Sequence, residues 1–308
     1  MIDITLLGTA ALAPIPERAL TAATLVCAGH AILFDCGEGT QTAARRAGVS
    51  LMKADIIALT HYHGDHIFGL PGLLQTLNVM GRTEPLYITG PEGLEPALAP
   101  ILALTGRTAY EIRPLPFPAA GLRPAELVPG WPAGAKLDAF PTEHRVASQG
   151  YGFTLSRAGK FLPQRAGELG VPANLWGRLQ KGECVRVGDV LVTPDMVLGA
   201  PRRGLKFVFS GDTALCDRLV EAAREADLLI CEATYGENDQ ARLAADHGHM
   251  NFAQAAQVAV RAGARRLWLS HFSQMIEDPQ SYLENATAIF PGAECGEDGK
   301  AVTLRFEA

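Results

Sequence analysis

Three histidines and an aspartate fall within one short stretch, Thr60-His61-Tyr62-His63-Gly64-Asp65-His66, directly after the apolar run Ile56–Leu59. Imidazole and carboxylate are good ligands for Zn²⁺ and similar divalent ions, so this spacing reads as a metal site. At a strand end His61 and His63 project the same way, because side chains repeat every second residue. A turn at Gly64 then lets Asp65 and His66 face a second ion. Three further candidates follow later apolar runs: His144 after Leu137–Thr142, Asp212 in Ser210-Gly211-Asp212-Thr213, and His271 after Leu267–Ser270. Each alone is weak, since a lone histidine after a strand is more often a solvated loop residue. As a set they supply the ligands a dinuclear site still needs.

Ligands at strand ends require strands to hold them. Ile2–Leu7, Thr24–Cys27 and Ala31–Phe34 read as strands, with a tight hairpin at Ala28-Gly29-His30. Ile56–Leu59 and Leu86–Thr89 are short buried strands. Leu70–Met80 has helical spacing closed by Gly81, and Leu94–Leu104 is a second helix. Pro114, Pro116 and Pro118 mark a loop or a sheet edge. In the second half Leu137–Thr142, Tyr151–Leu155, Leu205–Phe209, Leu228–Cys231, Leu267–Ser270 and Val302–Phe306 read as strands. Leu215–Ala226, Phe252–Ala262 and Ser281–Phe290 read as helices. Strands lead and helices follow in each half, which suggests two stacked sheets with helices on their outer faces. The segment Arg157–Leu198 is rich in glycine, proline and charge, with few periodic apolar positions. It is expected to be a structureless insert, and such inserts are often functional. The domain expectation is one unit over residues 1–308, with residues 157–198 inserted as an arm.

The chain has 308 residues, 48% of them hydrophobic and 19% charged. That is ample for a buried core and excludes a disordered or disulfide-stapled chain. The net charge of −6 argues by itself against a nucleic-acid partner. Its distribution is uneven. Arg157–Lys206 holds nine basic and four acidic residues, a net +5, and the rest of the chain carries −11. The first residues form no signal peptide and no run of 18 apolar residues occurs, so no membrane partner is expected. The six scattered cysteines read as reduced thiols, and the expected compartment is the cytoplasm.

The His61–His66 motif, His144, the Ser-Gly-Asp-Thr aspartate and His271 together resemble the metallo-β-lactamase superfamily over the whole chain. The resemblance implies an α+β fold, a four-layer αβ/βα sandwich with a protruding arm. It implies that His61, His63, His144 and Asp212 hold one zinc, that Asp65, His66, Asp212 and His271 hold another, and that Asp212 bridges. A hydroxide between the ions would be the nucleophile, with Asp65 orienting the water or accepting its proton. Mn²⁺ or another divalent ion suits the same ligands.

Phe34-Asp35-Cys36-Gly37-Glu38-Gly39-Thr40-Gln41 resembles a signature of the ribonuclease Z family, the tRNA 3′-processing endonucleases of that superfamily. Asp35 is then expected beside the metal histidines, with Thr40 as the N-cap of the following helix. Cys231-Glu232-Ala233-Thr234-Tyr235 resembles the family's His-Glu-Ala-Thr motif, with cysteine in the first place. The resemblance implies that His249, paired with Glu232, protonates the leaving group. By sequence alone His247 competes for that role, or is a solvated loop residue, as is expected of His30. The Ser-Thr that follows this histidine in the family is Met250-Asn251 here. Leu169–Glu183 resembles the tip of the family's tRNA-gripping arm, with Ala173-Asn174 replacing its Gly-Pro pair, and Arg178 and Lys181 would contact RNA. The resemblance thus implies a zinc-dependent endoribonuclease that removes the 3′ trailer of precursor tRNA and works as a homodimer. A small-molecule hydrolase of the same fold (phosphodiesterase, lactonase or sulfatase) is the rival, favoured by the altered arm tip and the acidic body. A sensing protein with a degenerate site is disfavoured by the full ligand set.

Overall fold

The computed structural model describes residues 1–307. The strands, in chain order, are β1 (Ile2–Gly8), β2 (Ala22–Cys27), β3 (His30–Phe34), β4 (Ala54–Ala58), β5 (Leu86–Gly90), β6 (Ile112–Pro116), β7 (Ala135–Pro141), β8 (Gln149–Arg157), β9 (Val185–Val187), β10 (Val190–Val192), β11 (Arg202–Phe209), β12 (Leu228–Glu232), β13 (Leu267–Ser270), β14 (Ala293–Cys295) and β15 (Ala301–Leu304). A seven-stranded sheet runs β15-β1-β2-β3-β4-β5-β6, and a six-stranded sheet runs β14-β13-β12-β11-β8-β7. β3 to β6 are parallel, as are β11 to β14.

The continuous apolar runs have a physical cause: both faces of these strands are buried. Leu6, Phe34, Phe207, Phe209 and Ile230 point into the core between the sheets. Their neighbours point outward under helices: Leu7 and Leu33 beneath Leu70–Val79, and Val208 and Leu229 beneath Phe252–Ala262. Phe34 packs on Tyr151 and Phe207 with ring centroids 5.8 and 5.5 Å apart, joining the sheets at their centre. The result is the four-layer sandwich expected from the resemblance. The Ala28–Gly29 turn has both residues left-handed (φ 52° and 91°), as a two-residue hairpin demands. The proline-bearing β6 sits on a sheet edge, where missing N–H donors cost least.

Several expectations need correction. Arg157–Leu198 is not structureless. It holds the helices Pro163–Glu168, Ala173–Gln180 and Pro194–Val197 and the β9–β10 hairpin. Ala166, Val171, Leu179, Val185, Val192 and Val197 form a small core of their own there, roofed by Phe161 and Trp176. The expected helix Ser281–Phe290 splits into a 3₁₀ turn, Pro279–Tyr282, and the helix Leu283–Thr287. Leu215–Ala226 contracts to Asp217–Ala222, because Cys216 is extended and Glu225 turns left-handed. Gly39, not Thr40, caps the helix Thr40–Arg46, and the Thr40 hydroxyl instead donates to the Gly37 carbonyl at 2.7 Å. His30 is no solvated loop residue: its Nδ1 lies 2.7 Å from Asp55, which also accepts from the Trp131 indole. Among the described residues no helix is long and apolar enough to cross a membrane.

Candidate metal centre

The carboxyl ends of parallel strands from both sheets meet at one edge of the sandwich, the usual ligand position in such sheets. His61, His63, Asp65 and His66 follow β4, Asp212 follows β11, and His271 follows β13. His144 comes from the loop between β7 and β8. That loop is pinned there because the Glu143 N–H donates to Thr213 Oγ1 and the Ala214 N–H to the Glu143 carbonyl. All seven expected ligands are therefore gathered. The ligand atoms of His61, His63, His144 and Asp212 lie within 4.8 Å of one another, and so do those of Asp65, His66 and His271.

Four of the imidazoles are anchored by their outer nitrogen. His61 Nδ1 lies 3.1 Å from Thr60 Oγ1 and His66 Nδ1 2.8 Å from Asp35. His144 Nδ1 lies 2.9 Å from the Gly248 carbonyl and His271 Nδ1 2.9 Å from Thr234 Oγ1. Their inner nitrogens converge. His61 Nε2 is 2.9 Å and His144 Nε2 3.3 Å from His63 Nδ1, and His66 Nε2 is 3.3 Å from His271 Nε2. Nitrogens held about 2.0–2.1 Å from one tetrahedral cation stand roughly 3.3–3.5 Å apart, so the spacing suits a metal. Asp212 spans both groups, with Oδ2 3.7 Å from His61 and Oδ1 3.2 Å from His271. Its Oδ1 is buried and accepts no hydrogen bond, an orphaned acceptor that a cation would satisfy.

Electrostatics prepare the same chemistry. Burial holds His61 well below the ordinary histidine value, and lowers His63 and His144 as well, so these rings are neutral with lone pairs to offer. Burial opposes charge on Asp212, but His271, His66 and His61 overcome it and keep the carboxylate ionised. Asp65 is likewise held low by His271 and His66 against the effect of burial. Burial also disfavours charge on His66, yet Asp212 and Asp35 on either side draw its pKa well above the usual value. A cation taken up there displaces that proton. Asp35, fully buried, accepts from the Thr60 N–H, the Thr60 hydroxyl and His66, which fixes how the first loop leaves β4. Asp35 and His271 are both left-handed (φ 55° and 59°), local strain concentrated where the ligands are aimed.

Glu232 reaches His249, not His247. His249 Nδ1 lies 2.8 Å from Glu232 Oε1, while His247 Nδ1 is 2.6 Å from the Tyr235 hydroxyl. The Glu232 carboxylate also accepts from the Thr213, Thr234 and Met250 N–H groups and the Thr234 hydroxyl. Burial opposes charge on His249, but Glu232 outweighs it and raises the pKa to about 9. Its ring stacks on His271 at 5.6 Å and approaches His144 at 5.0 Å. Asp212, His249 and His271 also fall within ligand reach of one another, so His249 has an alternative use as a ligand.

The metallo-beta-lactamase superfamily profile matches residues 19–242. A ribonuclease Z of Lachnoclostridium phytofermentans is 39% identical over 307 residues, 100% of this chain and 99% of that one. The chain belongs to the ribonuclease Z family. A ribonuclease Z of Agathobacter rectalis is 40% identical over the same extent. The crystal structure of the short form of human tRNase Z is 27% identical, with a TM-score of 0.68 over 99% of this chain and 100% of that one. The fold and the His/Asp groups make this member a divalent-metal protein.

Sequence reasoning missed four supports of this ribonuclease Z centre. Thr234 ties His271 to Glu232, and Thr60 ties His61 to Asp35. The Leu12 N–H donates to Asp65 Oδ2 at 2.9 Å, and the Gly248 carbonyl orients His144. Thr60 and Thr234 stood inside quoted motifs, but the last two are backbone groups without a residue signature.

Gly248 carries its own prediction. It is left-handed (φ 73°), and an added Cβ would lie 2.9 Å from His144 Nδ1. Gly248→Ala is expected to weaken metal binding about 10- to 100-fold through the displaced imidazole, as read by chelator competition. Unchanged affinity would show that this carbonyl does not set the ring.

Proposed function

We propose that this protein is a metal-dependent endoribonuclease that cleaves the 3′ trailer from precursor tRNA. The observation that carries this reading is the His249–Glu232 pair beside the His/Asp cluster. Phosphodiester hydrolysis leaves a poor alkoxide leaving group, and a buried histidine kept charged by a carboxylate is the acid it needs.

In this reading His61, His63, His144 and Asp212 hold one zinc ion, and Asp65, His66, Asp212 and His271 hold a second. Mn²⁺ is an acceptable substitute. Bound divalent ions supply Lewis acidity toward the phosphate oxygens and lower the pKa of the attacking water. The chain's own groups do the rest. Asp65, held by the Leu12 N–H and by His271, orients that water and accepts its proton. Glu232 fixes His249 through Nδ1, and His249 passes its proton to the departing 3′-oxygen. The tRNA body leaves with a 3′-hydroxyl.

The arm at residues 157–198 is the tRNA-gripping element. Arg178 is exposed and pairs with Glu183 at 2.7 Å, a contact of about 0–1 kcal/mol that yields readily to a phosphate. The working form is a homodimer, in which two-fold symmetry brings the arm of one chain to the site of the other. The reading places the protein in the cytoplasm with its substrate.

The test is incubation with 3′-extended precursor tRNA, a lactone panel and bis-nitrophenyl phosphate, with and without chelator. Lactone turnover without tRNA cleavage would overturn the proposal. Replacing Arg178 and Lys181 together with alanine is expected to raise KM for precursor tRNA several-fold while a small diester, too short to reach the arm, is still hydrolysed. Equal loss on both substrates would make the segment structural.

A further inference from the structure

The segments that carry the cluster, residues 59–68, 142–149, 210–216 and 270–276, contain a single lysine or arginine, Arg145. Around them stand four buried carboxylates, Asp35, Asp65, Asp212 and Glu232, with Glu143 exposed beside them. Any cations held by the cluster are committed to the scissile phosphate. A second phosphate of the same RNA strand would then meet a wall of acids, with Arg145 as its one permanent counter-charge.

The position of Arg145 is well fixed. The residue before it, His144, faces His63 at 3.3 Å and is tied to the Gly248 carbonyl at 2.9 Å. Glu143 is tied on the other side to Thr213 and Ala214. The Arg145 backbone packs against Gly248, the residue before His249. Its side chain is exposed and makes no ion pair or hydrogen bond among the described residues. Its positive charge is nonetheless felt by His63, Tyr235 and His249, which places it at the mouth of the site.

We infer that Arg145 binds the phosphate immediately 5′ of the scissile bond, on the tRNA side of the single-stranded 3′ end. This rests on the reading of the substrate above. The side follows from His249. If His249 protonates the 3′-oxygen of the last tRNA nucleotide, that nucleotide lies along the His144–His249 wall, and its own 5′-phosphate is the one nearest Arg145. A guanidinium suits the task, because its planar fork donates two parallel hydrogen bonds to phosphate oxygens.

The test combines the Arg145→Ala and Arg145→Lys enzymes with precursor tRNA carrying an uncharged methylphosphonate at that 5′ position. Arg145→Ala is expected to lower kcat/KM about 10- to 100-fold on the normal precursor. Arg145→Lys restores only part of this, since lysine offers charge without the fork. The slope of log kcat/KM against log salt becomes shallower by about one. On the methylphosphonate precursor the wild type falls by a similar factor, and Arg145→Ala falls no further. Additive losses from the variant and the methylphosphonate would overturn the inference, as would loss of bound metal in Arg145→Ala. A wild type that cleaves no precursor at all would overturn the substrate reading and this inference with it.

Discussion

Replacing His249 with alanine is expected to slow cleavage of precursor tRNA by about 10²–10⁴-fold, the range a positioned general acid contributes, while bound metal stays in place. The expectation follows from how the ring is held. Nδ1 is engaged by Glu232 at 2.8 Å, so Nε2 is the nitrogen left to act. The competing use is ligation, because Asp212, His249 and His271 could also share an ion. The two uses separate cleanly. Metal analysis of the alanine variant shows a full complement if His249 is an acid, and a deficit if it is a ligand.

The pH profile adds a signed check. Glu232 raises the His249 pKa to about 9 from an ordinary 6.5. The proton needed for the leaving group is present below that pKa and lost as pH rises through it. Cations in the neighbouring cluster repel the imidazolium and pull the value down. The alkaline limb of kcat/KM is therefore expected above the ordinary histidine value and no higher than about 9. Glu232→Gln removes the carboxylate that favours the charged ring, so its limb moves to lower pH. A limb that stays put in that variant would mean another group is titrating.

The sequence made the ligand set legible because metal ligation demands particular side chains, and strand ends demand short apolar runs before them. Both leave residue-level marks. The sandwich was legible for a related reason: strands buried on two faces, such as β12 and β13, must be largely apolar. The arm was misread because its six core residues are spread over helices of four to eight residues, a hairpin of two three-residue strands and the link at Val171, all too short for any period to register. His30 was misread because its partner, Asp55, lies 25 positions away on the next strand. The choice between His247 and His249 needed the fold, since only the path of the chain after Ala241–Asp246 decides which ring meets Glu232. The backbone donors and acceptors at Leu12 and Gly248 could not be seen at all, because any residue can present an N–H or a carbonyl.

Asp212→Ala is expected to remove both metals and to lower activity by at least about 10³-fold, the scale of several kcal/mol of lost charge stabilisation. Most ligand losses would empty one group and spare the other. Asp212 differs because its two oxygens face opposite ways, Oδ2 toward His61 and Oδ1 toward His66 and His271. No other carboxylate stands in for it: Asp65 Oδ2 serves only the His66–His271 side and is already bonded by Leu12. Asp212 also balances His66, which lies between it and Asp35. With Asp212 gone, His66 keeps only Asp35 and the more distant Asp65 as carboxylate partners, and its pKa falls because less negative charge remains to favour its proton. Asp212→Asn keeps the shape and one oxygen donor but removes the charge, so it is expected to retain more metal than the alanine variant while remaining impaired in cleavage. Metal content per chain, measured on both variants beside cleavage rates, decides the matter. Two ions retained in Asp212→Ala would show that the carboxylate is not shared, and one ion retained would show that only one histidine group depends on it.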